Sequence, residues 1–119
     1  MEKIKIYHNP RCSKSREALA LLREKGVEPE IIEYLKSKPS FKEIKDLLVR
    51  LHLKPLDIIR QGEDIFKKKL KNKNFSEEEW ITIITENPQL IERPIVVKGS
   101  KAIICRPPEK VEEFFEKKR

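Results

Sequence analysis

The chain has 119 residues, 38% hydrophobic and 39% charged, a mixture that excludes a disordered polymer and fits one domain with a single core. Its 27 Lys and Arg against 20 Asp and Glu leave a formal charge of +7. The longest apolar runs span only a few residues, too short to cross a membrane, and MEKIKIYHNP is charged and alternating rather than a signal peptide. The expected address is the cytoplasm. Two cysteines and two histidines are too few for a disulfide scaffold or an ordinary four-ligand zinc site, so no metal is expected; no tightly bound cofactor is expected either.

Residues 3–7 (KIKIY) alternate as a half-buried strand does, with Ile4 and Ile6 on one face. A polar loop, HNPRCSKS, follows. From Ser15 the period becomes helical through Ala18, Leu19 and Leu22, and Gly26 supplies a stop. Residues 30–35 (EIIEYL) predict a second strand, completing a βαβ unit. Ser40 with Glu43 forms a capping-box pattern ahead of Ile44, Leu47, Leu48 and Leu51. Pro55 opens a short helix through Ile59, which Gly62 breaks. Ser76 with Glu79 predicts another capped helix, carrying Trp80, Ile81 and Ile84 and ending before Pro88. The last third returns to strands. Residues 94–98 and 102–105 flank the two-residue loop Gly99-Ser100, and Pro107 and Pro108 open a final helix with Val111, Phe114 and Phe115. The order is βαβ, helices, then ββα: one α/β domain over residues 1–119, with a helical insertion at about 38–88.

The chemistry points to Cys12. A thiol between a strand and a helix start meets free backbone N–H groups and the positive end of the helix dipole, which favour thiolate and lower such a pKa from about 8.5 to roughly 3.5–7.5. Its neighbours Asn9, Pro10, Arg11, Ser13 and Lys14 are polar or loop-forming, unlike those of a core cysteine. Ser15 stands where a dithiol redox protein carries its second cysteine. Its hydroxyl can donate to a thiolate but cannot resolve a disulfide, so CSKS predicts a one-thiol mechanism fed by an outside thiol. Lys14 and Arg16 add positive potential or simply face solvent. His8 is separated from Cys12 by one short loop and can assist it electrostatically if protonated, or else face solvent. His52, among leucines, reads as a helix-end residue. Arg60, Arg93 and Arg106 offer guanidinium forks suited to tetrahedral oxyanions, though spacing alone does not bring them together. A phosphatase-type loop, with five residues between Cys and Arg, is absent, because Ala18 occupies that position. The basic run KKKLKNK at 67–73, and Lys110, Lys117, Lys118 and Arg119, read as solvated surface; no nucleic-acid motif accompanies them.

The segments IYHNPRCSKSR, IERPIVV and ICRPPEKV, in this order and spacing, resemble the glutaredoxin-coupled arsenate reductases of the ArsC type over nearly the whole chain. The resemblance implies a thioredoxin-like fold with a helical insertion. It also implies arsenate or a similar oxyanion as substrate, glutathione as co-substrate and glutaredoxin as partner. On that pattern Cys12 is the nucleophile, and His8 and Ser15 support its thiolate. Arg60, Arg93 and Arg106 hold the oxyanion, and Pro94 is the cis-proline beside the active cysteine. Two other functions share the framework: an Spx-like regulator binding RNA polymerase, whose redox-sensing members need a CxxC that Ser15 interrupts, and a general glutathione-dependent thiol oxidoreductase. Strand alternation sends Cys105 away from Arg106 and into the core; the alternative is that it resolves oxidised Cys12.

Overall fold

A computed structural model describes residues 3–115; Lys117, Lys118 and Arg119 of the basic tail lie outside the described residues. The chain divides into two compact units, Met1–Tyr34 with Arg93–Arg119, and Leu35–Glu92. No helix among the described residues is long and apolar enough to cross a membrane.

The first unit is built on a four-stranded sheet. β1 (Ile4–Tyr7) leads into α1 (Ser13–Glu24), and the chain returns as β2 (Glu30–Ile32), parallel to β1. β3 (Ile95–Lys98) lies antiparallel on the other side of β1, and β4 (Lys101–Ile104) closes the order β2-β1-β3-β4. This is the α/β, thioredoxin-like order that the resemblance implies. β3 is interior, which explains its unbroken apolar sequence: Ile95, Val96 and Val97 are all buried. Ile4 and Ile6 of β1 pack with Val96, with Ala18 and Leu22 of α1, and with Cys105, Val111 and Phe114. A type II′ turn requires positive φ at its first central residue, and Gly99 supplies φ 58 between paired Lys98 and Lys101. At the end of α1, Gly26 at φ 81 lets its N–H reach Arg23 O and that of Val27 reach Leu22 O, the Schellman arrangement.

The second unit is helical. α2 (Phe41–Leu51) starts where Ser40 Oγ accepts from the Glu43 N–H, and ends at His52, whose left-handed φ 58 and ψ 41 make it the helix-end residue expected. α3 (Glu77–Glu86) carries a complete capping box, with Ser76 Oγ accepting from Glu79 N at 3.1 Å and Glu79 Oε1 from Ser76 N at 2.8 Å. It stops one residue short of Asn87, before Pro88.

Five elements differ from expectation. β2 ends at Ile32 rather than residue 35, because its partner β1 ends at Tyr7 and the last ladder bond runs from His8 N to Ile32 O. The segment after Pro55 is a 3-10 turn, Pro55–Ile58, and a further 3-10 turn at Pro88–Leu90 was not expected. The last segment, Pro108–Phe114, is also 3-10 helical: Pro108, Val111 and Phe114 recur every third residue and all three are buried, the period of that helix. The basic run contains a π-helical turn, Phe66–Leu70, closed by Lys71 N on Phe66 O.

Packing sets the energetic weight of each position. In α2, Ile44 is 0% exposed and Val49 is 68% exposed. Ile44→Ala is expected to lower unfolding stability by about 2–5 kcal/mol, and Val49→Ala to change it by less than about 0.5 kcal/mol, as read by urea denaturation.

Candidate active site

The loop between β1 and α1 is stapled by Asn9. Its carbonyl accepts the Cys12 N–H at 3.0 Å, its Oδ1 accepts the Arg11 N–H at 3.0 Å, and its own N–H donates to Ser15 Oγ at 3.1 Å. Asn9 was not among the expected site residues; the Asn-Pro pair, a turn-initiating sequence, was the signal that marked it. Cys12 thereby becomes the N-cap residue of α1, in extended conformation and partly buried. Burial opposes ionisation of its thiol, but the Ser15 N–H, the Arg93 guanidinium and the Lys14 N–H outweigh it and hold the pKa below the ordinary cysteine value. No conventional capping bond closes onto the sulfur, so the amides act through their N–H dipoles.

His8 and Ser15 form the support beneath. Both are buried, and His8 Nδ1 shares a 2.6 Å hydrogen bond with Ser15 Oγ. Burial, aided by Arg23 and Arg16 and opposed by Glu33, lowers the His8 pKa. The imidazole is therefore neutral at neutral pH. This corrects the expectation that a protonated His8 assists the thiolate, and equally the expectation of a solvent-facing loop histidine. The Ser15 hydroxyl is likewise engaged by His8 and Asn9; what acts on the thiol is the Ser15 backbone N–H. Arg16 donates through Nη1 to Pro10 O at 2.9 Å, bracing the loop from its exposed side.

The two C-terminal arginines meet at a pair of proline turns. Arg93–Pro94 and Arg106–Pro107 are both cis, and Cys105 N donates to Pro94 O at 2.8 Å. Arg106 is exposed and its Nη1 donates to the Arg93 carbonyl at 3.1 Å. Arg93 lies beside Cys12, and its Nε is buried with no hydrogen-bond partner among the described residues. Cys12, Arg93 and Arg106 are thus joined in one unit, with His8 and Ser15 beneath. Arg60 belongs to the Leu35–Glu92 unit. There its Nη1 meets Glu63 Oε2 at 2.7 Å and its Nε meets Glu92 Oε1 at 3.6 Å, while its own N–H donates to Leu90 O.

Cys105 is a core residue. It is fully buried, its thiol contacts Ile103 O at 3.7 Å, and burial, with Glu113 adding to it, pushes its pKa up to about 12. Such a thiol is not a nucleophile near neutrality.

A thiol of lowered pKa beside a guanidinium with an open donor is a geometry suited to attack on an oxyanion: positive charge offsets the repulsion between a thiolate and an anion. Comparison with known proteins places the chain in company. Residues 7–114 match the family described as the ArsC family. The chain is 49% identical over 115 residues to an uncharacterized protein of Escherichia coli (strain K12), YfgD, covering 95% of this chain and 97% of that one. An arsenate reductase of Neisseria meningitidis (serogroup A, strain Z2491) is 42% identical over 114 residues, covering 94% and 97%. Among solved structures, an arsenate reductase from Vibrio cholerae superposes with a TM-score of 0.90 at 43% identity, covering 94% of this chain and 97% of that one.

Two measurements test the electrostatics. The pH midpoint of Cys12 alkylation by iodoacetamide is expected below that of a free cysteine, and Arg93→Ala is expected to move it upward, with Arg93→Lys restoring part of the difference. For His8, an unfolded chain takes up a proton near the ordinary pKa of 6.5, whereas the folded chain resists it until lower pH. Stability is therefore fully present above about 6.5 and declines as pH falls through the depressed folded value; His8→Gln is expected to flatten that decline in urea titrations across the acid range.

Proposed function

The chain belongs to the ArsC family, and on that footing we propose that it is an oxidoreductase that reduces arsenate to arsenite through a Cys12–arsenic adduct, using glutathione and glutaredoxin in the cytoplasm. The observation that supports the reading most directly is Arg93, whose guanidinium lowers the Cys12 pKa while its buried Nε lacks an acceptor among the described residues. An arsenate oxygen satisfies that donor and brings arsenic to the sulfur. Arg106, tethered to the Arg93 carbonyl, shares the charge. Arg60 is assigned the remaining guanidinium by the family resemblance alone.

The chemistry balances in three displacements. The Cys12 thiolate attacks As(V), forming S–As and expelling hydroxide, which leaves as water after protonation. A glutathione thiolate then attacks the Cys12 sulfur. The S–As electron pair departs with arsenic, which leaves as As(III), and the two thiols become one mixed disulfide. A glutaredoxin thiolate attacks the glutathione sulfur of that disulfide and releases Cys12 as thiolate. No second cysteine of this chain is required, in keeping with Ser15 and with the buried, protonated Cys105.

Arsenate-dependent NADPH oxidation, in an assay coupled through glutathione, glutathione reductase and glutaredoxin, is expected with the wild-type chain. Cys12→Ser is expected to abolish it, and Arg93→Ala to lower kcat/KM by at least about tenfold, the scale on which a lost transition-state charge contact acts. Turnover on a glutathione mixed disulfide with no dependence on arsenate would instead indicate a general thiol oxidoreductase.

A further inference from the structure

The Leu35–Glu92 unit carries a groove that the thiol chemistry leaves idle. Its floor is Phe66, Leu70 and Trp80, and Lys67, Lys71 and Lys73 stand on its rim. The π-helical turn makes this arrangement: Phe66 and Leu70 are buried, while the lysines between and after them are exposed. Trp80 stacks on Phe66 with centroids 6.3 Å apart, and Phe75 meets it edge-on at 4.9 Å. Leu56, also lining the groove, is 43% exposed, so an apolar contact is available at its lip.

The charge on this rim is uncompensated. Five lysines fall within residues 67–73, and among the described residues none of them takes part in an ion pair. The acidic run that follows does not neutralise them. Glu77 and Glu78 line a different groove, beside His52 and Lys54, and Glu79 is committed to the cap of α3. Like charges so concentrated repel one another, and a partner of opposite sign relieves that repulsion. The aromatic residues argue for which polyanion. Single-stranded nucleic acid needs open ring faces on which bases stack. Trp80 and Phe66 are buried and occupied with each other, so the floor offers an apolar notch and no stacking platform.

We propose that this groove docks an acidic segment of a partner protein, with carboxylates on the lysine rim and one apolar side chain seated over Trp80. The interaction has the usual division of an interface: an apolar centre that supplies affinity and a charged rim that supplies selection and encounter rate.

Trp80 is the only tryptophan of the chain, so its emission reports directly on the groove. The probe is a synthetic peptide with four glutamates on each side of a single leucine. Saturable change in Trp80 emission is expected, weakening as salt is raised. Lys67→Glu, Lys71→Glu and Lys73→Glu together are expected to weaken binding by at least about tenfold, and replacing the peptide leucine by asparagine by about tenfold. Should the triple charge reversal alter the circular dichroism of the fold, Lys71→Ala with Lys73→Ala carries the same test, at a loss of roughly threefold. The proposal is overturned if the peptide leaves the emission unchanged or if the lysine variants bind it equally well. It is also overturned if a single-stranded oligonucleotide binds as tightly while the leucine makes no difference, since the face would then be a general polyanion surface.

Discussion

A partly buried thiol whose pKa is held below the ordinary cysteine value is the constraint around which the first unit is organised. Burial by itself would raise the Cys12 pKa, and it is the largest single influence on that group. The pKa falls nonetheless, because several smaller effects point the same way and together outweigh burial. The amides of Ser15 and Lys14 belong to the first turn of α1, where backbone N–H groups have no helical partner, and Arg93 arrives from the other end of the chain. The strand order makes that arrival possible. β1 delivers the cysteine loop, β3 lies directly beside β1, and the Arg93–Pro94 turn immediately precedes β3. A residue 81 positions away in sequence thus becomes the neighbour of the thiol.

The site separates the tasks of charge and geometry between different residue types. Guanidinium is charged at every accessible pH, and it supplies the field. Imidazole would supply a field only when protonated, and its burial opposes protonation. His8 instead holds Ser15, and Ser15 Oγ in turn accepts the Asn9 N–H. Through these bonds the neutral pair fixes the start of α1, and hence the direction of the amides that act on sulfur. Asn9 contributes from the same loop by accepting the Cys12 N–H. Each member acts on the thiol through the backbone, so its influence is invisible to a reading that looks only for side-chain donors.

Features governed by local chemistry were legible in the sequence. The caps at Ser40 and Ser76, the Gly99-Ser100 turn, the strand at Ile4–Tyr7 and the helix-start position of Cys12 each depend on a few adjacent residues. Features governed by partners distant in sequence were not. β2 is shortened by the end of β1, which nothing in EIIEYL records. The 3-10 character of Pro108–Phe114 was present in the spacing of Pro108, Val111 and Phe114, but an apolar residue at Phe115 made the pattern equally readable as an α-helix. The π-helical turn was hidden because lysines dominate its composition, while its anchors Phe66 and Leu70 are only two residues. The His8 expectation failed for the same reason: exposure, which decides the protonation of an imidazole, is a tertiary property.

The three arginines show most clearly what tertiary structure adds to residue type. In sequence each is a guanidinium near a proline or a helix end. In the folded units they differ in how much of their donor capacity is already used. Arg60 is held by Glu63 and Glu92, and an incoming anion would have to compete with two carboxylates. Arg106 is exposed and anchored through one donor to a neutral carbonyl, leaving its charge available. Arg93 goes further, with a buried Nε that has no acceptor among the described residues. A buried donor without a partner costs about 1–3 kcal/mol, and the cost is removed when an acceptor arrives. That cost is a standing bias toward anion binding beside the sulfur, and it resides in the guanidinium that also favours the thiolate. The same group therefore lowers the pKa of the thiol and keeps a donor open toward anions, which is why the proposed chemistry of this unit is centred on the Cys12–Arg93 pair.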